Sequence, residues 1–502
     1  MKRMKKLASL LLALIMAFAM NATVFAANTT EHRITITNEK SEHTYTAYQV
    51  FKGDISDGKL TNIEWGSGVD GNAVLAALKA LDKSPYADCE TAEDVADILA
   101  KFANDSEQLD AFAKVVGAHL STAAGTSTET KGETTSTYTI NVTGDGYYFV
   151  KDTGTIGTDD AATKYILKVV ENVTVAAKAA TPTIDKVIVD ADSANGGEGK
   201  GTAQDVGSVV NFKLTSKVPA MDGYDTYTYI VNDTMSAGLT FNNDVTVTID
   251  GATYTDFTVA QNGQSFTITF NNFIAQKANA GKDIVITYSA TINESALTTD
   301  KETNTVNLEY SNNPNDSTSK GKTPDKVVYV YDFDIVIDKY TGDETTGTRL
   351  AGAKFVLYKT VDSKNLYYYY NEETDKVEWV EQQSAATEVT TDDNGAAKFQ
   401  GLDSGTYYLH ETEAPAGYNL LKNDVPVTIT ATYGEDGQIT SSSATSTNNG
   451  QYQQTQKIEN KAGATLPSTG GMGTTIFYVL GAILVIVAAV LLVTKKRINM
   501  KK

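Results

Sequence analysis

The chain has 502 residues, and its 62 acidic side chains outnumber its 42 basic ones, for a formal net charge of −20. The length predicts roughly three domains rather than one core, and the acidic balance argues against nucleic acid and anionic lipid as partners. A single cysteine, Cys89, rules out an internal disulfide, and with four histidines it is too sparse for a structural zinc site.

The N-terminus reads as a cleaved signal peptide over residues 1–26. Lys2, Arg3, Lys5 and Lys6 precede the apolar stretch Leu7 to Met20, and Val24-Phe25-Ala26 gives the small-x-small cleavage pattern. Beyond residue 26 the chain is mostly short Val, Ile, Thr and Tyr alternation broken by Gly, Asn and Asp, the signature of strands. In residues 27–178 the period changes to three and four between Asn72 and Leu120. Val74, Leu75, Leu78 and Leu81 form one stripe, and Val95, Ile98, Leu99 and Phe102 another, with Thr91-Ala92-Glu93-Asp94 as a capping box. A helical insertion in a β-domain is therefore expected. Its opening strand, Ile34 to Asn38, has no lysine on the apolar row. Near the end of this region, Val173, Val175 and Ala177 point inward, so Lys178 should face solvent.

Thr181-Pro182 marks a junction, and residues 179–325 form a second unit that ends at the polar run Asn312 to Thr323 and Pro324. Ile184, Lys186 and Ile188 share a strand face, which points a lysine inward. Tyr227, Tyr229 and Val231 lead on their face to Asp233, and Asn304 shares a face with Val306, Leu308 and Tyr310. Glu294, continuing the face of Ile286, Tyr288 and Ile292, is a rival acid to Asp233.

Residues 326–461 form a third unit with the same oddity. Phe333, Ile335 and Ile337 are followed on their face by Lys339, Tyr407 and Leu409 by Glu411, and Ile458 by Asn460. Asp393-Asn394-Gly395 reads as a hairpin turn. A buried lysine is driven toward its neutral, nucleophilic amine and a buried carboxyl toward its protonated form. Beside an asparagine amide, such a pair could form a Lys–Asn isopeptide bond with loss of ammonia, general acid–base catalysis used once within a fold.

Residues 462–502 hold a linker, Leu466-Pro467-Ser468-Thr469-Gly470, the uncharged run Ile476 to Val493, and Lys495, Lys496, Arg497, Lys501 and Lys502. The run is long enough for a transmembrane helix, and the basic tail fixes its cytoplasmic side. Motif, span and tail together resemble Gram-positive cell-wall sorting signals, which sortases cleave between Thr and Gly.

The stretch from Tyr407 to Tyr418 matches the E-box of Gram-positive pilins, Tyr-x-Leu-x-Glu-Thr-x-Ala-Pro-x-Gly-Tyr, at every defined position. The third unit resembles the B-type domain of the collagen adhesin. That resemblance implies a Lys339–Asn460 bond promoted by Glu411. Asn232 to Phe241 and Asn304 to Asn312 are similar to the second domain of fimbrial subunits, which implies a Lys186–Asn304 bond with Asp233 as the acid. Tyr45 to Gly53 and Ile63 to Gly66 resemble the N-terminal domain of major pilins, for which no such bond is expected here. The pilin motif Trp-x-x-x-Val-x-Val-Tyr-Pro-Lys matches at Val173, Val175 and Lys178 and departs at Val169, Ala176 and Ala177.

The expected architecture is mainly β: three tandem immunoglobulin-like β-sandwich domains, the first with the helical insertion, between a signal peptide and a transmembrane sorting helix. The resemblance implies a pilus backbone subunit, Thr469 being joined to Lys178 of the next identical subunit. Its partners would be a pilus-specific class C sortase, the housekeeping sortase, minor pilins, peptidoglycan and a host ligand. The alternatives are a monomeric wall-anchored adhesin and a minor pilin. No nucleotide loop, metal cluster or nucleophilic triad is legible, so no cofactor, metal or turnover activity is expected.

Overall fold

The computed structural model describes residues 31–102, 106–162, 164–169, 171–177, 181–191, 197–314, 316–447, 450–463 and 473–499. The signal segment, Lys178 and the Leu466–Gly470 motif lie outside these residues.

Alternating burial builds three sandwiches in chain order. In the first, Glu31–Asn38 alternates exposed and buried side chains and pairs antiparallel with Ser136–Thr143 and parallel with Val173–Ala176. Its buried row meets a second sheet, centred on Tyr45–Ser56 and Gly146–Asp152, across a core of Ile34, Ile36, Tyr45, Tyr138, Ile140, Tyr148 and Val150. The far side of that second sheet presents Val50, Phe51 and Phe149 to three helices, Gly71–Lys79, Ala92–Leu99 and Glu107–Ala118. The expected insertion is thus present. Thr91 and Asp94 cap the second helix reciprocally, each side chain bonding the other residue's backbone N–H, which satisfies donors a helix start otherwise leaves bare. The third helix carries Phe112 and Val116 into the same core, which also buries Cys89.

The second sandwich faces a sheet containing Ile184–Ala191, Val209–Lys217 and Asp283–Ile292 against one containing Tyr229–Met235, Glu302–Ser311 and Ser265–Phe270. The strand Lys326–Tyr331, expected from sequence to open the third unit, instead pairs antiparallel with Glu302–Ser311. The polar run before it contains Lys320–Lys322, which folds back on that same strand. Pro324 comes just after that return, so what reads as the end of the second unit is a connection within one of its sheets.

In the third sandwich, Phe333–Thr341 lies between Ala396–Leu402, antiparallel, and Tyr452–Glu459, parallel. The facing sheet holds Lys354–Val361, Lys364–Asn371 and Gly405–Glu413. The turn at Asp393-Asn394-Gly395 is tight, with Gly395 at φ +72° and Asp392 accepting from the Asn394 and Ala396 N–H groups. It does not close a hairpin between paired strands. Val389–Thr390 pairs with Lys354–Val361, while Ala396–Leu402 pairs with Phe333–Thr341 in the other sheet. Turn chemistry dictates the reversal, and core packing decides which sheet receives each arm.

Neighbouring sandwiches interlock. Tyr310 donates to the Asp160 carbonyl and Ala162 N–H to the Asn312 carbonyl, joining the first to the second. Between second and third, Asp205 accepts from Trp379 Nε1 at 2.8 Å, Lys359 Nζ at 3.3 Å and Asp403 N–H at 2.9 Å. At the C-terminus, Gly473–Asn499 is one helix, and its Thr475–Arg497 stretch is long and apolar enough to cross a membrane.

Candidate functional site: two buried lysine, carboxyl and asparagine sets

In the second sandwich Lys186 leaves its strand on the inward face, flanked by Ile184 and Ile188, and is completely buried. Its Nζ crosses to the opposite sheet. There it donates to Asp233 Oδ2 at 2.8 Å and to Asn304 Oδ1. Asp233 and Asn304 come together because their strands are antiparallel neighbours, with Asp233 opposite Val306 and Met235 opposite Asn304. Phe212 and Tyr288 wall the amine, their ring centroids 5.4 and 5.5 Å from Nζ. Burial lowers the lysine to about 8 against the pull of Asp233. The same burial raises the Asp233 carboxyl, overcoming Lys186. Both shifts favour the neutral pair, an amine beside a protonated acid. Asp233 Oδ1 is buried without a hydrogen-bond partner, an easier state for a neutral carboxyl than for a carboxylate.

Glu294, the rival acid, is exposed at the start of a 3-10 turn, Glu294–Thr298. The strand ends at Ile292, so alternation no longer governs which way residue 294 points.

The third sandwich reaches a similar chemistry by another geometry. Lys339, wholly buried, is paired with Ile458 on the adjacent parallel strand, and Asn460 lies two residues further on the same side. Lys339 Nζ donates to Asn460 Oδ1 and, at 3.2 Å, to the Ile458 carbonyl. Glu411 enters from the facing sheet, its Oε1 3.7 Å from Nζ. Asn460 Nδ2 donates to Glu411 Oε1 at 3.0 Å and to the Asn419 carbonyl at 3.0 Å. The residues after Glu411 explain that last contact. Gly417, at φ +89°, turns the chain back after Pro415, so the Asn419 carbonyl meets the amide and Leu421 N–H bonds Glu411 Oε2 at 2.8 Å. A side chain at 417 would strain this left-handed conformation. Burial lowers Lys339 to about 8, opposed by Glu411.

Each set aligns a nucleophile, an acid and an amide carbonyl in a dry interior, the arrangement suited to attack of an amine on an asparagine side chain. Among the described residues no cluster of His, Cys, Asp and Glu is arranged to hold a metal ion.

The first sandwich holds a different buried polar group, which sequence reasoning missed. His43 Nδ1 lies 2.5 Å from Asp152 Oδ2 and Nε2 lies 2.8 Å from Asp160 Oδ2, with its ring stacked on Tyr45. Burial opposes the imidazolium, but hydrogen bonds and charge from the two carboxylates prevail and raise His43 to about 9. Asp160 is also the residue whose carbonyl receives Tyr310 of the second sandwich.

Three stretches of the chain match known protein families. Residues 206–314 match the Gram-positive pilin backbone subunit 2, Cna-B-like domain, and residues 458–499 the LPXTG cell wall anchor motif. Over these stretches the chain is similar to Gram-positive pilin backbone subunits and to wall-anchored proteins. Residues 334–448 match a prealbumin-like fold domain. The chain is 28% identical over 310 residues to the trypsin-resistant surface T6 protein of Streptococcus pyogenes, covering 54% of this chain and 51% of that one. It is 27% identical over 250 residues to the fimbrial subunit type 2 of Actinomyces naeslundii, covering 43% and 46%. A 32% identical match to platelet adherence protein A of Streptococcus gordonii spans 28% of this chain and only 3% of that one. The chain thus spans about half, or far less, of the length of these relatives. The solved T6 backbone pilin of serotype M6 Streptococcus pyogenes shares the fold, with a TM-score of 0.53 at 21% identity over 80% of each chain.

Proposed function

We propose that this chain is a pilin, the structural backbone subunit of a covalent cell-surface pilus. The observation that carries the reading is the coincidence, in one chain, of a pilin-backbone match at 206–314 and an LPXTG anchor match at 458–499. In this reading a pilus-specific class C sortase cleaves after Thr469 and joins it to Lys178 of the next subunit. The housekeeping sortase finally attaches the polymer, with its minor pilins, to peptidoglycan. The working region comprises three units, the second extended to Tyr331 by its last strand.

Lys186 and Asn304 close one internal amide with Asp233 as the acid, and Lys339 and Asn460 close another with Glu411. These reactions occur once per chain and without turnover, in keeping with a structural protein. The closed loops span 118 and 121 residues. By analogy with a disulfide of that length, each stabilises its unit by about 5 kcal/mol.

The experiment is electrophoresis of cell-wall extracts after boiling in detergent, in cells expressing the chain with its sortases. The expected result is a ladder that collapses to monomer in Lys178→Ala, with a Thr469–Lys178 peptide found by tandem mass spectrometry. A lone monomer band from the wild-type chain would instead favour a wall-anchored adhesin.

A further inference from the structure

Tyr288 lies on Asp283–Ile292, two strands away from Lys186 in the same sheet, and its hydroxyl reaches across the core. It donates to Asp233 Oδ2 at 2.6 Å and accepts from Asn304 Nδ2 at 3.1 Å. We propose that the Tyr288 hydroxyl is a catalytic proton relay in closing the Lys186–Asn304 link, carrying the proton of Asp233 to the amide nitrogen that departs. This rests on the reading that the link forms.

The two sets differ at this atom. In the third sandwich Glu411 itself takes a hydrogen bond from Asn460 Nδ2, at 3.0 Å, so the acid touches the leaving group. In the second, Asp233 Oδ2 is engaged by Lys186 and Tyr288, and the bond from Asn304 Nδ2 ends on the phenol. A proton from Asp233 therefore passes through that oxygen. A hydroxyl suits the task because it both donates and accepts, and reverses its polarity by rotating one hydrogen. Tyr288 is buried in the core, so bulk water is a poor substitute.

The step balances. The neutral Lys186 amine attacks Asn304 Cγ, forming the C–N bond and moving the carbonyl π pair onto Oδ1. The new C–N nitrogen passes one proton to Asp233 as the protonated carboxyl hands its own to the Tyr288 oxygen. The Tyr288 hydroxyl proton goes to Nδ2, the Cγ–Nδ2 bond breaks, ammonia leaves and the oxyanion pair restores the carbonyl. Asp233 and Tyr288 end as they began.

The test tracks link formation in the full chain during cell-free synthesis. Samples are denatured at intervals and digested, and the Lys186–Asn304 and Lys339–Asn460 cross-linked peptides are quantified by mass spectrometry. Tyr288→Phe keeps the ring and removes the relay. It should slow the first link by at least roughly 100-fold, the usual scale of a lost general acid, and leave the second unchanged. A wild-type rate in Tyr288→Phe overturns the relay alone, whereas absence of the first link from the wild-type chain overturns the reading beneath it. As a check that does not depend on packing, 3-fluorotyrosine at position 288 retains the hydroxyl but makes it more acidic. The link should then form fully with a displaced pH–rate profile, and an unmoved profile also overturns the relay.

Discussion

Lys186 projects from one sheet of its sandwich and meets Asn304 on the facing sheet, with both side chains fully buried. A link there would rivet layer to layer. The Lys339–Asn460 pair instead lies along one sheet, between adjacent parallel strands. The two sites therefore predict different consequences when broken.

Lys186→Ala should retain one ammonia relative to the wild-type chain in intact-mass measurement. It removes the tie between sheets and leaves Asp233 buried beside a cavity. The expected loss is about 5 kcal/mol from the open loop, read as a lower melting temperature for the second unit.

Glu411→Ala removes the carboxyl that touches Asn460 Nδ2 and the acceptor of the Leu421 N–H. One ammonia should again be retained, now from the third unit, which should become sensitive to protease while the second stays resistant. A mass equal to wild type would refute the role given to Glu411.

His43 gives the first sandwich a pH dependence. Its folded value, about 9, lies above the ordinary 6.5, so the protonated form stabilises the fold. That contribution is complete below about pH 6.5 and is lost as pH rises through about 9. The size is on the order of 1–3 kcal/mol. Thermal melts between pH 6 and 10 should show the first unit weakening in alkali, and His43→Gln should flatten the slope.

Asp205→Ala should loosen the junction of the second and third sandwiches, since Trp379 Nε1 and the Asp403 N–H lose their acceptor. Two unpaired donors cost about 1–3 kcal/mol each if they stay buried. Hydrogen exchange should show the Asp403 amide losing protection, with both internal links still closed.

Much of this was legible because strand alternation is a local rule. It aimed Lys186, Lys339, Asp233 and Asn304 inward, and the period change placed the helices and the Thr91 cap. It failed where tertiary choices decide. Tyr288 was visible as an inward residue, yet nothing in the period of a strand tells that a phenol will span to an amide on the opposite sheet. His43 and Asp152 are 109 residues apart, and no short pattern joins them. The Asp393 turn and the strand Lys326–Tyr331 were misplaced because reversals and prolines mark where a chain bends, not which sheet receives it.

The strand Lys326–Tyr331 has a mechanical consequence. With both links closed, residues 305–338, 34 in number, belong to neither covalent ring. Tension passing along the polymer would cross each ring through amide bonds but reach this stretch through non-covalent contacts, its strand pairing and core packing. Peeled open, its 34 residues would reach roughly 110 Å end to end, farther than they span as folded strands, and would re-zip when the load falls. Two stiff rings joined by a recoverable length of chain would make a spring rather than a rod.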